Sequence, residues 1–321
     1  MPAAADSSAT GERIRVGYLG PPGTFTEQAL LTQPDLASGA LVELGSITDV
    51  IEATSNGEVD VGVVPLENAI EGAVNVTLDT LTFEADLLIQ REIVISVQMN
   101  LLGLPGAPMA GIERVYTIPV ATAQCRSFLR KELANAALLP ANSTAEAARQ
   151  IVDDGDASCA AIGTALAAKI YGLEILATDI EDHPENETRF GVVARDTVPA
   201  ATGHDKTSIV VFQKADEPGS LLAILQEFAA RAINLTNLHS RPTKRGLGDY
   251  CFLIDLEGHV ADELVADCLR DLKSKQADVK FLGSYPAAGE HGESRRRDAE
   301  ASWRQADEWV RTLRSQVPPG R

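Results

Sequence analysis

The sequence predicts an α/β protein in which two lobes flank a cleft and a smaller strand-and-helix sandwich follows. Three observations predict it. Short apolar strand patterns alternate with amphipathic helix patterns from Arg15 to Thr178. Within that span one order recurs: Ser46-x-x-Asp49, Gly57 and Val61–Val64 match Ser143-x-x-Glu146, Gly155 and Cys159–Ile162, with the serines 97 positions apart and the glycines 98. Each copy reads as a capped helix, a glycine stop and a buried strand, a weak internal repeat that suggests two lobes. Beyond a Pro/Ala/Thr/Gly stretch at 199–205 the order becomes β-α-β-β-α-β, which is a ferredoxin-like sandwich.

Length and composition agree. The chain has 321 residues, 45 % hydrophobic and 23 % charged, which suits two or three globular domains. The boundaries expected are 14–197 for the two lobes, 206–286 for the sandwich and 287–321 for a charged tail. In the tail Trp303, Trp309, Val310 and Leu313 fall at near-helical spacing, giving either a packed terminal helix or a disordered end. With 46 acidic and 28 basic residues the formal charge is −18, a field that repels phosphate backbones and excludes nucleic acid as a natural partner. Neither a signal peptide nor a membrane-length apolar run is legible. Cys125, Cys159, Cys251 and Cys268 form no metal-spaced pair and read as buried free thiols, so a cytoplasmic protein is expected.

In chain order, Ile14–Leu19 reads as a buried strand running into Gly20-Pro21-Pro22-Gly23-Thr24-Phe25-Thr26-Glu27, where Thr24 and Glu27 have capping-box spacing. Such a loop is either an anion site or a plain strand-to-helix turn, and it lacks the glycine and lysine spacing of nucleotide loops. A strand at 41–44, a helix at 46–56 and a strand at 59–64 ending at Pro65 follow, then a helix at 76–83 and a strand at 87–97. The second lobe reads as a strand at 114–117, a helix at 122–133, a helix from Ser143, a strand at 159–162, a helix at 164–171 and a strand at 174–178. The strand at 87–97 leaves the first lobe, and the loop before Thr188 returns to it.

Glu187-Thr188-Arg189-Phe190 packs a hydroxyl, a planar cation and an aromatic into consecutive positions. As chemistry, Thr188 offers a proton, Arg189 binds a carboxylate and Phe190 walls a substrate ring. As structure, Thr188 and Arg189 open a strand and Phe190 is core. Asn68, in the turn after Pro65, either reaches substrate oxygens or shapes the turn with its own side chain. Glu67 reads as structural, with proton donation as its second reading. Thr24, Thr26, Ser143 and Thr144 sit at helix starts, where hydroxyls and amides bind carboxylates or merely cap. Gln124 is a mid-helix glutamine and a further cleft candidate.

Together these motifs resemble the prephenate dehydratase family over roughly Arg15 to Pro286. The family's glycine-loop opening is similar to Gly20–Glu27, with Gly23 inside it. Its Val-Pro-x-Glu-Asn turn is similar to Val64-Pro65-Leu66-Glu67-Asn68, and its Thr-Arg-Phe signature to Thr188-Arg189-Phe190. The resemblance implies a two-lobed, periplasmic-binding-protein-like catalytic domain and a ferredoxin-like ACT regulatory domain. The ACT motifs resemble Gly219-Ser220-Leu221 and Ser240-Arg241-Pro242, with Asn234, Leu235 and Asn237 placed to hold an effector's ammonium and side chain. Two departures stand out. His239 precedes Ser240 where the signature usually has glutamate, and Ile118 stands where many relatives have histidine.

The activity implied is conversion of prephenate to phenylpyruvate with loss of water and carbon dioxide, without metal or organic cofactor. The resemblance makes Thr188 the donor to the leaving hydroxyl. Phenylalanine is the expected effector, with tyrosine second. A homodimer or homotetramer is implied, because ACT sheets commonly pair between subunits. An arogenate-preferring enzyme and a non-catalytic two-lobed amino-acid sensor are the alternatives.

Overall fold

The first lobe grows from a parallel trio of strands. In the computed structural model, described over residues 13–214, 217–244, 246, 249–276, 278–288, 308–312 and 315, β1 (Arg15–Leu19) lies between β2 (Ala40–Leu44) and β3 (Val61–Asn68) and parallel to both. The helices α1 (Phe25–Leu31), α2 (Pro34–Ala37) and α3 (Ile47–Asn56) connect them. Apolar positions of these elements, Val16, Leu30, Val50, Ile51 and Val63 among them, are fully buried. Ser46 Oγ accepts from Asp49 N at 3.1 Å to open α3, and Gly57, at φ +77°, closes it.

Strand β3 does not stop at Pro65, where the sequence suggested an end. It continues to Asn68 because the two-residue β4 (Gly72–Ala73) folds back on it, pairing Glu67 with Ala73 and Asn68 with Gly72. Pro65 forfeits only its N–H, and its carbonyl accepts from Thr77 Oγ1 at 2.6 Å. Then come α4 (Asn75–Phe83) and β5 (Leu88–Ser96). The sheet order is β2-β1-β3-β11-β5, where β11 (Glu187–Ala194) has returned from the second lobe.

The second lobe holds β6 (Asn100–Gly103), β7 (Arg114–Thr117), β8 (Ala137–Pro140), β9 (Cys159–Gly163) and β10 (Glu174–Ala177), ordered β10-β6-β9-β7-β8. Here β7 lies parallel to β8 and β9, as β1 does to β2 and β3. The weak sequence repeat is thus a structural one. Its helix α7 (Thr144–Asp154) has the caps of α3, with Ser143 Oγ accepting from Glu146 N at 3.0 Å and Gly155 at φ +64°. Both faces of this sheet are covered. Leu101, Ala160 and Ile162 pack with α5 (Pro119–Gln124) and α6 (Arg126–Glu132), whereas Leu102 and Ala161 pack with α7 and α8 (Ala165–Tyr171).

The single helix expected over 122–133 is two helices. The Gln124 carbonyl accepts from Asp182 N at 2.6 Å, and Asp182 Oδ1 takes the Ser127 N–H at 3.1 Å. The returning crossover therefore recruits the backbone groups on both sides of Cys125, which leaves helical geometry at φ −112° and ψ 22°.

By compactness the chain divides into Met1–Thr80 with Ile93–Phe190, and Leu81–Glu92 with Gly191–Arg321. The second unit contains β12 (Asp205–Phe212), α9 (Ser220–Ala229), β13 (Leu235–Pro242), β14 (Tyr250–Glu257), α10 (Glu263–Lys275) and β15 (Asp278–Pro286). Its antiparallel order β13-β14-β12-β15 is the ferredoxin-like sandwich the sequence predicted. Ile224, Phe228, Val265, Cys268 and Leu272 of the helices share one core with Ile209, Val211, Phe252 and Ile254 of the strands. Within this unit Lys206 Nζ meets the buried Glu92 Oε1 at 2.8 Å. Of the charged tail, residues 308–312 are helical and Trp309 is exposed, while Trp303 and Leu313 lie outside the described residues. No helix among the described residues is long and apolar enough to cross a membrane.

Candidate active site

The loops at the carboxyl ends of β1 and β9 meet. Thr164 Oγ1 donates to the Gly23 carbonyl at 2.7 Å and Tyr171 Oη to the Pro22 carbonyl at 2.9 Å. A Cβ on Gly23 would stand 2.9 Å from Ala167 Cα, so only glycine allows this approach. The capping box forms as the spacing predicted, since Thr24 Oγ1 accepts from Glu27 N at 3.3 Å. The Thr24 hydroxyl also donates to the Leu19 carbonyl at 2.9 Å, and Gly23 N is held by Glu27 Oε2 at 2.6 Å. These groups, read as either an anion site or a plain strand-to-helix turn, are bonded inside the loop, and Thr26 is buried. The glycine loop joins the two lobes.

A second convergence forms where β3 ends and β11 begins. Thr188 is the second residue of β11, not part of a loop, and only 8 % exposed. Asn68 Nδ2 donates to Thr188 Oγ1 at 2.8 Å, while Asn68 Oδ1 accepts from Ile70 N and Glu71 N, both at 3.0 Å. Asn68 thus shapes its turn and reaches the threonine at once. Two backbone donors fix the amide oxygen, so only the NH2 can face Thr188. Thr188 Oγ1 then accepts, and its own proton is left to donate. Among the described residues that hydroxyl has no acceptor.

Arg189, one position along the strand, points to the opposite face from Thr188. Its Nε lies 3.6 Å from Glu67 Oε2 on the neighbouring strand. Phe190 is 1 % exposed and belongs to the core. The three-residue signature is therefore divided between the site, a cross-strand ion pair and the interior.

Gln124 moves toward the site. It ends α5 rather than lying mid-helix and is buried, not solvated. Its Nε2 donates to Glu71 Oε1 at 3.4 Å, and its Oε1 accepts from Asn186 Nδ2 at 3.2 Å. A continuous set, Thr188–Asn68–Glu71–Gln124–Asn186, results. Glu71 and Asn186 were missed by sequence reasoning, because a turn glutamate and a loop asparagine carry no spacing signal. Ser143 caps α7 and Thr144 is buried at its start, and no hydrogen bond joins either to this set. Beside Gln124, burial chiefly, with Glu181 and Asp182 adding, pushes the Cys125 thiol up to about 12, so it is no nucleophile. Among the described residues no His/Cys/Asp/Glu group could hold a metal ion.

In the sandwich, Gly219, Ser220 and Leu221 line a hollow of about 400 Å3 with Glu217, Leu225 and Phe252. Ser240-Arg241-Pro242 lies on β13, an edge strand, and does not line it. Asn234 precedes that strand and is exposed. Leu235, Asn237 and His239 occupy its half-buried face, and His239 Nε2 is buried without a hydrogen-bond partner.

Two repeated α/β lobes with polar side chains gathered at converging strand ends, followed by a ferredoxin-like module, define a small-molecule enzyme carrying an amino-acid-type regulatory domain. A family model described as prephenate dehydratase matches residues 16–198, and one described as the ACT domain matches 207–274. The chain belongs to the prephenate dehydratase family. A prephenate dehydratase of Mycolicibacterium vanbaalenii is 40 % identical over 303 residues, covering 90 % of this chain and 96 % of that one. The structure of prephenate dehydratase from Arthrobacter aurescens in complex with L-Phe has a TM-score of 0.86 at 38 % identity, covering 94 % of this chain and 100 % of that one. GqqA, described as a novel type of quorum quenching acylase, has a TM-score of 0.77 at 29 % identity, covering 85 % of this chain and 98 % of that one.

Proposed function

We propose that this chain carries out the decarboxylative dehydration of prephenate to phenylpyruvate, with the Thr188 hydroxyl bonded to the departing ring hydroxyl. The locked Asn68 amide carries the assignment, because it leaves the Thr188 proton as the free donor of the pair. A threonine hydroxyl is a weak acid. It acts through a hydrogen bond that strengthens as the leaving oxygen gains charge. As the bond to the ring carboxylate breaks, its electrons enter the ring and carbon dioxide departs. The same electron shift expels the 4-hydroxyl oxygen, which leaves as water with a proton relayed from solvent through Thr188.

Gln124 Nε2, whose 3.4 Å contact with Glu71 is long, is assigned to one substrate carboxylate. The start of α7, with Ser143 and Thr144, is assigned to the other. Arg189 acts indirectly, tying β11 to β3 through Glu67. In the ACT module, phenylalanine is the assigned effector at the Gly219-Ser220-Leu221 hollow, with tyrosine second. The likeness to a relative in complex with L-Phe supports this. The Ser240-Arg241-Pro242 motif outside that hollow supports an effector site completed by a second copy in a homodimer or homotetramer. The biosynthetic class of the relatives supports a cytoplasmic place.

The test is parallel incubation with prephenate and arogenate, reading phenylpyruvate by its absorbance in alkali and phenylalanine by chromatography. Turnover of prephenate to phenylpyruvate is expected, and an inactive, folded chain would return the two lobes to a sensor role. The likeness to GqqA motivates an N-acylated amino-acid derivative as a third arm. No cleavage is expected there, since among the described residues no histidine ring is bonded to a hydroxyl or thiol.

A further inference from the structure

We infer that Asn186 is a positioning residue that fixes the sense of the Gln124 amide, so that Gln124 turns its NH2 and not its carbonyl toward the substrate. The inference rests on the assignment of Gln124 to a substrate carboxylate. Asn186 is 1 % exposed, and its backbone is held at both ends. Its carbonyl accepts from Val97 N at 2.8 Å and its N–H donates to the His183 carbonyl at 3.1 Å, so the outgoing and returning crossovers are bonded to each other here. From this fixed point Nδ2 donates to Gln124 Oε1 at 3.2 Å, and Gln124 Nε2 is left for Glu71 at 3.4 Å.

The unusual atom is Asn186 Oδ1, which is buried and has no hydrogen-bond partner. Burying a bare amide oxygen is unfavourable, and an apolar residue of similar shape would avoid it. Turning the Asn186 amide over would not remove the difficulty. Its oxygen would then face Gln124 Oε1, so Gln124 would have to invert as well and present its carbonyl to the Glu71 carboxylate, setting acceptor against acceptor. Asn186 at one end and Glu71 at the other therefore permit one sense of Gln124 only. A dianionic substrate has the same requirement as Glu71, for N–H and not C=O. The same device operates at Asn68, whose oxygen is held by two backbone donors so that its NH2 faces Thr188.

Steady-state kinetics of Gln124→Ala, Asn186→Ala, Asn186→Asp and the double variant Gln124→Ala/Asn186→Ala test this, each with its thermal midpoint. Gln124→Ala should raise KM, and an unchanged KM there would remove the underlying assignment. Asn186→Ala should lower kcat/KM about tenfold, mainly through KM, because only the long 3.4 Å contact with Glu71 then holds the sense of Gln124. In the Gln124→Ala background the same change should alter KM less than about twofold while its loss of thermal midpoint persists. Asn186→Asp supplies the finer reading. Its protonated form can donate to Gln124 Oε1 as Asn186 does and its ionised form cannot, so its KM relative to wild type should rise with pH. A raised KM in Gln124→Ala combined with an Asn186→Ala penalty that survives in full in the double variant would overturn the role of Asn186 alone. A pH-independent KM ratio for Asn186→Asp would overturn it too.

Discussion

Asn68 Nδ2 stands 2.8 Å from Thr188 Oγ1, across two neighbouring strands of one sheet. The asparagine is held by its own turn and the threonine by a strand. The pair is therefore preorganised by backbone structure and needs no rearrangement to present a proton.

Thr188→Ala should lower kcat on the order of a hundredfold or more, because one transition-state donor is lost. Folding should survive, since the change removes a hydroxyl and a methyl at a strand start. Thr188→Ser should keep appreciable turnover. Steady-state rates beside circular dichroism decide the matter, and a folded Thr188→Ala variant with near-normal turnover would return Thr188 to structure.

Asn68→Asp separates the two jobs of that side chain. The carboxylate still accepts from Ile70 N and Glu71 N, so the turn and the thermal midpoint should change little. It can no longer donate to Thr188 and instead accepts the Thr188 proton, withdrawing it from the substrate. The expected loss in kcat is on the order of that of Thr188→Ala. A variant with a lowered midpoint and normal kcat would leave Asn68 with the turn alone.

Much of the fold was legible because its signals are local. Helix caps at Thr24, Ser46 and Ser143 and glycine stops at Gly57 and Gly155 are written within four or five residues of where they act. What stayed hidden is long-range. The split at Cys125 is caused by Asp182, more than fifty positions on, and the continuation of β3 past Pro65 by a two-residue strand with no pattern of its own. In the site, Thr188 and Asn68 were legible as motif residues. The opposite facing of Arg189 followed only once Thr188 was seen to lie inside a strand. Glu71 and Asn186 join through contacts 53 and 62 positions apart in sequence, which no local pattern records.

Gly23→Ala should destabilise the lobes' contact rather than remove chemistry. The residue has φ +96° and a Cβ there meets Ala167 at backbone distance, so strain and displacement combine to about 2 kcal/mol. Denaturant unfolding gives the stability, and a loss of activity larger than the fraction unfolded would show that the Thr164–Gly23 contact also sets the cleft. A stable, fully active variant would discount the glycine's structural role.

Acid should weaken the sandwich through Arg231. Hydrogen bonding to Arg231 holds the Asp271 carboxyl below its ordinary 3.8, at 2.5 Å, with Asp267 at 2.7 Å on the same guanidinium. A carboxyl lowered in the folded state contributes stability that is present above the unfolded value and is lost as pH falls through the folded one. The thermal midpoint of wild type should therefore exceed that of Arg231→Met at neutral pH, and the gap should narrow below about pH 4. A gap that stays constant into strong acid would take this ion pair out of the account.

Phenylalanine should bind the ACT module and change activity at the Thr188 site. The hollow beside Gly219-Ser220-Leu221 has Leu221, Leu225 and Phe252 for an aromatic side chain and Glu217 for an ammonium group. His239 bears on selectivity. Its Nε2 is buried without a partner, and an imidazole lacks the negative charge with which a carboxylate attracts an ammonium. Calorimetry with phenylalanine and tyrosine, on wild type and on His239→Glu, should give heat for phenylalanine in both and tighter binding in the variant. Coupling between the sites must be reciprocal. If phenylalanine weakens the binding of an unreactive prephenate analogue by some factor, that analogue must weaken phenylalanine binding by the same factor. No heat at millimolar phenylalanine would sink the effector assignment. Phenylalanine binding that leaves the affinity for the analogue unchanged would show that the activity change is kinetic and lies outside the binding equilibrium.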